Sequence, residues 1–114
     1  MEYTSFKQSN LVVYQLSGSL IGENHGISIV ESINQAISEG EKRFVMDLAE
    51  LQHINSTGLG VLITLLTKAR KVGGDLVLAN PSKFIQSLLL VTKLNSIFKV
   101  FESADDAANN FPEN

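Results

Sequence analysis

The sequence predicts a single α/β domain, with one mixed, mostly parallel sheet of four to five strands packed with about four helices. Three observations predict it. The chain opens with two adjacent strand-like runs that can pair as a hairpin. From residue 26 onward, stretches of helical and strand-like periodicity alternate, and a helix between two strands returns the chain to the same end of the sheet. With 114 residues, 44% hydrophobic and 18% charged, the chain has material for one core and no second one. The domain is expected to fill residues 1–114, its packed core reaching from about 2 to 110.

Val12, Tyr14 and Leu16 alternate with Val13, Gln15 and Ser17, so residues 11–17 read as a strand with one face more buried than the other. Residues 2–8 pair with it across a turn at Ser9-Asn10. Gly18 to Asn24 reads as a loop. From about Gly26 to Glu39, apolar side chains at 29, 30, 33, 36 and 37 form one helical stripe, and Gly40 stops it. Arg43 to Leu48, with Phe-Val-Met at its centre, reads as a strand covered on both faces, and Leu51 to Ser56 as a connector. A long helix follows from Thr57 to Val72, burying Leu59, Leu62, Leu66 and Ala69 and ending at Gly73-Gly74.

Leu76 to Ala79 is a short buried strand. Asn80-Pro81 then reads as a helix start, with Asn80 as cap and Pro81 in the first turn, and Phe84, Ile85, Leu88 and Leu89 as core face. Ile97 to Phe101 reads as a last strand. Ser103 with Asp106 resembles a capping box for a short final helix, and Phe111 to Asn114 are expected to fray.

Composition excludes several function classes. There is no cysteine, which removes disulfides, thiolate metal sites and cysteine nucleophiles together. Nine basic against twelve acidic residues give a net charge of −3, without the basic stripe of a nucleic-acid binder. Lys68, Arg70 and Lys71 cluster at a helix end, where the dipole favours cations. No leader-like start and no apolar run near the ~20 residues of a membrane span are visible, so the expectation is a cytoplasmic protein without membrane insertion. A monomer is the default.

The segment His53-Ile-Asn-Ser-Thr-Gly-Leu-Gly60 stands apart. It follows a buried strand and opens the longest helix, a junction that presents free backbone N–H groups. Asn55, Ser56 and Thr57 are all cap-forming types, whereas a helix needs one cap. Gly58 and Gly60 lower the helix propensity of its first turns. The simplest account is a well-capped helix lying close to the sheet. Sharper motifs fail. A dinucleotide fingerprint needs glycine where Ile63 stands, a phosphate loop needs the missing Gly-Lys-Ser/Thr, and a nucleophile elbow needs glycine where Ile54 stands.

Catalytic candidates are few. A serine nucleophile needs a base, and the chain has only His25 and His53. His53 is too near Ser56 in sequence to fold back on it, whereas His25 could reach the same end of the sheet. Two histidines without cysteine make a poor metal site. Asp47 and Glu50 could pair for acid–base work, but such residues more often close a strand and solvate a loop. The expectation is no catalytic residue, no metal and no cofactor. On the outer face of the long helix, Thr57, Val61, Thr64, Lys68 and Lys71 follow a 3–4 spacing, and Val61, apolar there without an obvious core duty, either belongs to a partner surface or rests partly on a neighbouring loop.

Phe44-Val-Met-Asp-Leu48, Leu51 and Ile54-Asn-Ser-Thr-Gly-Leu-Gly-Val-Leu62 resemble the signature of the STAS domain family, most closely its bacterial anti-sigma factor antagonists. Gly73 to Pro81 and Leu88 to Leu94 sit where that family has its next strand and helix. The resemblance implies a STAS-like sheet with helices against it, and partner switching. An anti-sigma factor that is itself a serine kinase binds the antagonist and phosphorylates it, and a serine phosphatase reverses the step. By motif position the phosphorylated residue is Ser56, with Thr57 the second choice, and Asn55, Ser56, Thr57, Gly58 and Val61 form the partner surface. The chain departs from the family in carrying Asn55 where Asp is usual, and Gly18-Ser-Leu-Ile-Gly-Glu23 where Gly-Glu-Leu-Asp is frequent. An alternative within the family is the cytoplasmic STAS subunit of a lipid or anion transporter, or a scaffold that is not phosphorylated.

Overall fold

The hairpin at the front of the chain sets the edge of the sheet. In the computed structural model, which describes residues 1–112 and omits the side chains of residues 23–25, β1 (Glu2–Gln8) and β2 (Leu11–Leu20) pair antiparallel from Glu2↔Ser17 to Gln8↔Leu11. The turn between them puts Ser9 at φ 55°, a left-handed conformation that a tight reversal demands. Three parallel pairings follow, of β3 (Arg43–Ile54) with β2, β4 (Asp75–Ala79) with β3, and β5 (Val100–Phe101) with β4. The order β1-β2-β3-β4-β5 is therefore a five-stranded mixed sheet.

Helices α1 (Glu23–Ser38), α2 (Ser56–Lys71) and α3 (Lys83–Val91) supply the large core on one face, while α4 (Ala104–Asn109) covers the other. Side chains of β3 divide accordingly. Phe44 and Met46 point into the large core with Ile29, Ile33 and the α2 leucines, and Val45 faces Val13, Val77 and Ala107 on the α4 side. Two-sided coverage explains why the Phe-Val-Met run has no polar alternation. The expectation for β2 holds, since Val12, Tyr14 and Leu16 are all buried while Gln15 on the other face is exposed and Ser17 half-buried. Leu11 and Val13 are buried as well, because α4 closes part of that second face.

Several element bounds differ from the sequence reading, and each difference has a tertiary cause. Residues 18–20 are strand, and so are residues 51–54, expected to be connector. The extensions of β2 and β3 pair with each other across irregularities at Gln15/Ser17 and Gly18/Ser19, where Gly18 takes φ 82°. Asn80 does not cap α3. It sits at φ 55° as a turn residue, its N–H donating to the Phe101 carbonyl, and Ser82 caps instead by accepting from the Ile85 N–H at 3.2 Å. Phe84, assigned to the core, is 58% exposed. The last strand shrinks to Val100–Phe101, because Leu94–Ser96 form a 3₁₀ turn that drops Phe98 into the core. Ser103 does cap α4, accepting from Asp106 N–H at 2.9 Å. The fraying expected of the tail falls partly on residues 113–114, outside the described ones.

Candidate functional site

Strand β3 delivers the chain to the start of α2 at the end of the sheet where β2 also finishes, since Leu20 pairs with Ile54. The next residue, Asn55, is the cap. Its Oδ1 accepts from the Gly58 N–H at 2.9 Å, while its Nδ2 donates to the Ile21 carbonyl at 2.7 Å. Its backbone N–H donates to the Leu20 carbonyl, and its own carbonyl receives the Leu59 N–H. One side chain thus ties the start of the helix to the segment leaving β2. An amide does this better than a carboxylate, because only the amide has a donor for Ile21.

Of the three cap-type residues, Asn55 alone caps. Ser56 occupies the first helical position, exposed, and among the described residues its hydroxyl has no hydrogen-bond partner. Thr57 is exposed beside it. The first turn carries no acidic residue, whereas Lys68, Arg70 and Lys71 stand in the last turn, so the positive end of the helix dipole at Ser56 is not neutralised by its own helix. A dianionic group on Ser56 would meet a favourable local field rather than a repulsive one.

Gly58 is buried, and a Cβ there would collide with the Leu20 carbonyl and stand 2.8 Å from Ile54 Cγ1. Absence of a side chain lets α2 start directly against the sheet and sets the height of Ser56. Gly60 has no atom within 4 Å of its Cβ position and faces a groove between α1 and α2. Val61 is half-buried there and packs on the core, not free on an outer face. A Cβ on Gly26 would lie 2.7 Å from both of its methyl groups, so Val61 fills the notch that Gly26 leaves. The groove, about 600 Å³, continues over Ile27, Val30 and Thr64. Ile27, 53% exposed, is a member that sequence reading passed over, because it falls off the α1 core stripe.

The remaining candidates are dispersed. His53 is exposed, its Nδ1 3.3 Å from the Ser19 hydroxyl across the β2–β3 pairing. The side chain of His25 lies outside the described residues. Asp47 lies in the middle of β3 rather than closing a strand. Its Oδ1 accepts from Ala49 N–H at 3.1 Å and from the Asn80 amide at 3.4 Å, at the point where the β2–β3 register shifts between Asp47 and Glu50. Glu50 is exposed. Arg70 donates to the Ile97 carbonyl at 2.9 Å and reaches Asp75 at 3.5 Å, a tether rather than a free cation. No helix among the described residues is long and apolar enough to cross a membrane.

The STAS domain family model matches residues 4–107. A relative in Bordetella bronchiseptica, named as the anti-sigma factor antagonist BtrV, is 28% identical over 111 residues, spanning 97% of this chain and 95% of its own. Among solved structures, an anti-sigma factor antagonist of Thermotoga maritima superposes with a TM-score of 0.83 at 18% identity, over 94% of this chain and 92% of that one. The Bacillus protein SpoIIAA in its phosphorylated form gives 0.75 at 20% identity, over 95% and 97%. A sulfate transporter family protein of Wolinella succinogenes shares the fold at 0.70 and 18% identity, over 88% and 83%.

Proposed function

The chain belongs to the STAS domain family, and from that premise we propose that it is an anti-sigma factor antagonist that works by partner switching, with Ser56 as the phosphorylated residue. It binds an anti-sigma factor of the serine-kinase type through Asn55, Ser56, Thr57 and the adjoining rim at Val61, while Gly58 beneath them sets the height of that surface. Phosphate on Ser56 releases the partner, and a serine phosphatase restores binding. The observation that carries this reading is the division of labour at the helix start. Asn55 makes the cap bonds, so the Ser56 hydroxyl is exposed and not consumed by the fold.

The physics of the switch follows from that placement. About −1.5 to −2 charges at a helix N-terminus are tolerated by the fold. The same charge pressed against a partner must be desolvated or repelled, so the effect falls on binding rather than on folding. The domain acts by association, and its family is generally non-enzymatic.

A second reading is the STAS subunit of a transporter, supported by the Wolinella neighbour and by Asn55 in place of Asp. The test is co-expression with the anti-sigma-type serine kinases of the same genome, followed by intact mass and peptide mapping. A single phosphate at Ser56, absent in Ser56→Ala, together with loss of kinase binding in Ser56→Asp, supports the switch. No phosphate with any of these kinases, or unchanged binding by Ser56→Asp, refutes it and moves the transporter reading forward.

A further inference from the structure

The two edges of the sheet are built differently. β5 presents two residues, Val100 and Phe101, too short a run to template another strand. β1 presents seven, Glu2 to Gln8, and pairs with β2 on one side only. Its pairing runs residue for residue without a bulge, it holds no proline, and every residue from Thr4 to Gln8 is exposed. Natural edges are usually shortened, bulged, broken by proline or guarded by charge, and of these devices β1 carries only charge, in Glu2 and in Lys7, the latter held by Glu41 at 2.7 Å.

We propose that β1 is the docking edge for a second copy of this chain, pairing antiparallel with its own mate to join two five-stranded sheets about a twofold axis. A twofold perpendicular to the sheet keeps each side chain on its face, so the sum of opposed residue numbers must be even. The register that opposes all seven residues has Ser5 facing its own copy, with Thr4 opposite the mate's Phe6, Tyr3 opposite its Lys7 and Glu2 opposite its Gln8. No like charges oppose one another in this register, and Lys7 comes to lie across from an aromatic ring. Slipping by one residue each way gives the next even sums, which leave two residues at one end of each strand unopposed.

The faces agree with this arrangement. Phe6 pairs with Val13 on the α4 side and is 44% exposed, so a threonine set beside it covers part of a ring now in water. Tyr3, Ser5 and Lys7 share the α1 side, where Tyr3 packs on Tyr14 and donates to the Ser28 carbonyl, tying the strand to α1. A further exposed apolar face, Phe84, Leu90 and Val91 on α3, is poorly suited to an isologous contact. Residues 82–101 carry Lys83, Lys93 and Lys99 with no acidic residue, and two copies would bring those lysines together.

The test uses the full chain by sedimentation equilibrium from ~10 µM to ~1 mM, a range suited to a small, largely backbone-mediated interface. Self-association to a dimer is expected, weakened about fivefold or more by Ser5→Glu, which sets two carboxylates opposite one another at an exposed site. Because the chain has no cysteine, Ser5→Cys supplies a single thiol at the axis, and oxidation should cross-link it. Gln8→Cys stands six residue steps from its mate, ~20 Å, and should not cross-link. A monomer throughout the range overturns the proposal. So does equal cross-linking of the two cysteine variants, or a dimer insensitive to Ser5→Glu. A dimer abolished by Leu90→Asp also overturns it, and would assign the contact to α3.

Discussion

Two glycines in one helix turn, Gly58 and Gly60, should respond in opposite ways to the same substitution. Alanine at either site gains at most about 1 kcal/mol of helix propensity. At Gly60 nothing stands within 4 Å of the new methyl group, so the gain is realised and Gly60→Ala should be stabilising by up to about 1 kcal/mol. At Gly58 the methyl meets the Leu20 carbonyl, which is part of the β2–β3 ladder and cannot rotate away as a side chain could, and it also presses on Ile54. Overpacking of this kind costs about 1–3 kcal/mol, and a backbone contact belongs at the upper end. Subtracting the propensity gain leaves Gly58→Ala destabilised by about 2 kcal/mol. For a domain of this size 1 kcal/mol moves Tm by about 4 °C, so the two alanines should melt about 12 °C apart. Calorimetric or circular-dichroism melts of both variants test this. If Gly58→Ala melts within a degree or two of the parent, close approach of α2 to β2 does not set the position of Ser56, and the account of Gly58 fails.

The other predictions rest on single contacts. Asn55→Ala removes the cap and the tether to Ile21 and should cost about 1–2 kcal/mol by urea denaturation, while Asn55→Asp keeps the cap, loses the donor to Ile21 and should fall between. Val61→Asp puts a carboxylate into the notch at Gly26 and should cost about 2 kcal/mol, whereas unchanged stability would return Val61 to the free surface. Ser56→Asp should leave Tm within about 2 °C of the parent, because an acidic group at the first helical position is favoured, and a large drop would tie Ser56 to the fold. Burial pushes the Tyr14 hydroxyl above the ordinary tyrosine value of about 10, an effect partly offset by its 2.9 Å hydrogen bond with Ser32. The folded state then keeps a proton that the unfolded chain gives up, so this contribution is intact below about pH 10 and is lost as pH rises through the folded value. Melts from pH 9 to 12 should show an alkaline decline that is shallower in Tyr14→Phe, and parallel declines would remove Tyr14 as its source.

Local chemistry accounts for what could be read from the chain alone. Hairpin, helices and buried strands follow from the spacing of apolar residues, and the limits of α2 from cap-type residues before it and Gly73-Gly74 after it, because these are properties of neighbours in sequence. The candidate site stands out in the sequence for the same reason, since three cap-type residues and two glycines exceed what a helix start needs. The length of β2 and β3 was not visible. Residues 18–20 and 51–54 lack a strong strand pattern and become strand only because each supplies the other's ladder. Asn80 has a good cap side chain, but the return of Phe101 to the sheet holds its backbone left-handed, and Ser82 takes the role. Val61 and Leu62 differ little in hydropathy, and only the packing of α1 across α2 put a glycine opposite Val61. At the site itself, composition made Asn55, Ser56 and Thr57 equal candidates for the cap. The carbonyl of Ile21, remote in sequence but 2.7 Å away in space, favours Asn55, which stands where its amide accepts from the helix and donates to the segment leaving β2 at once.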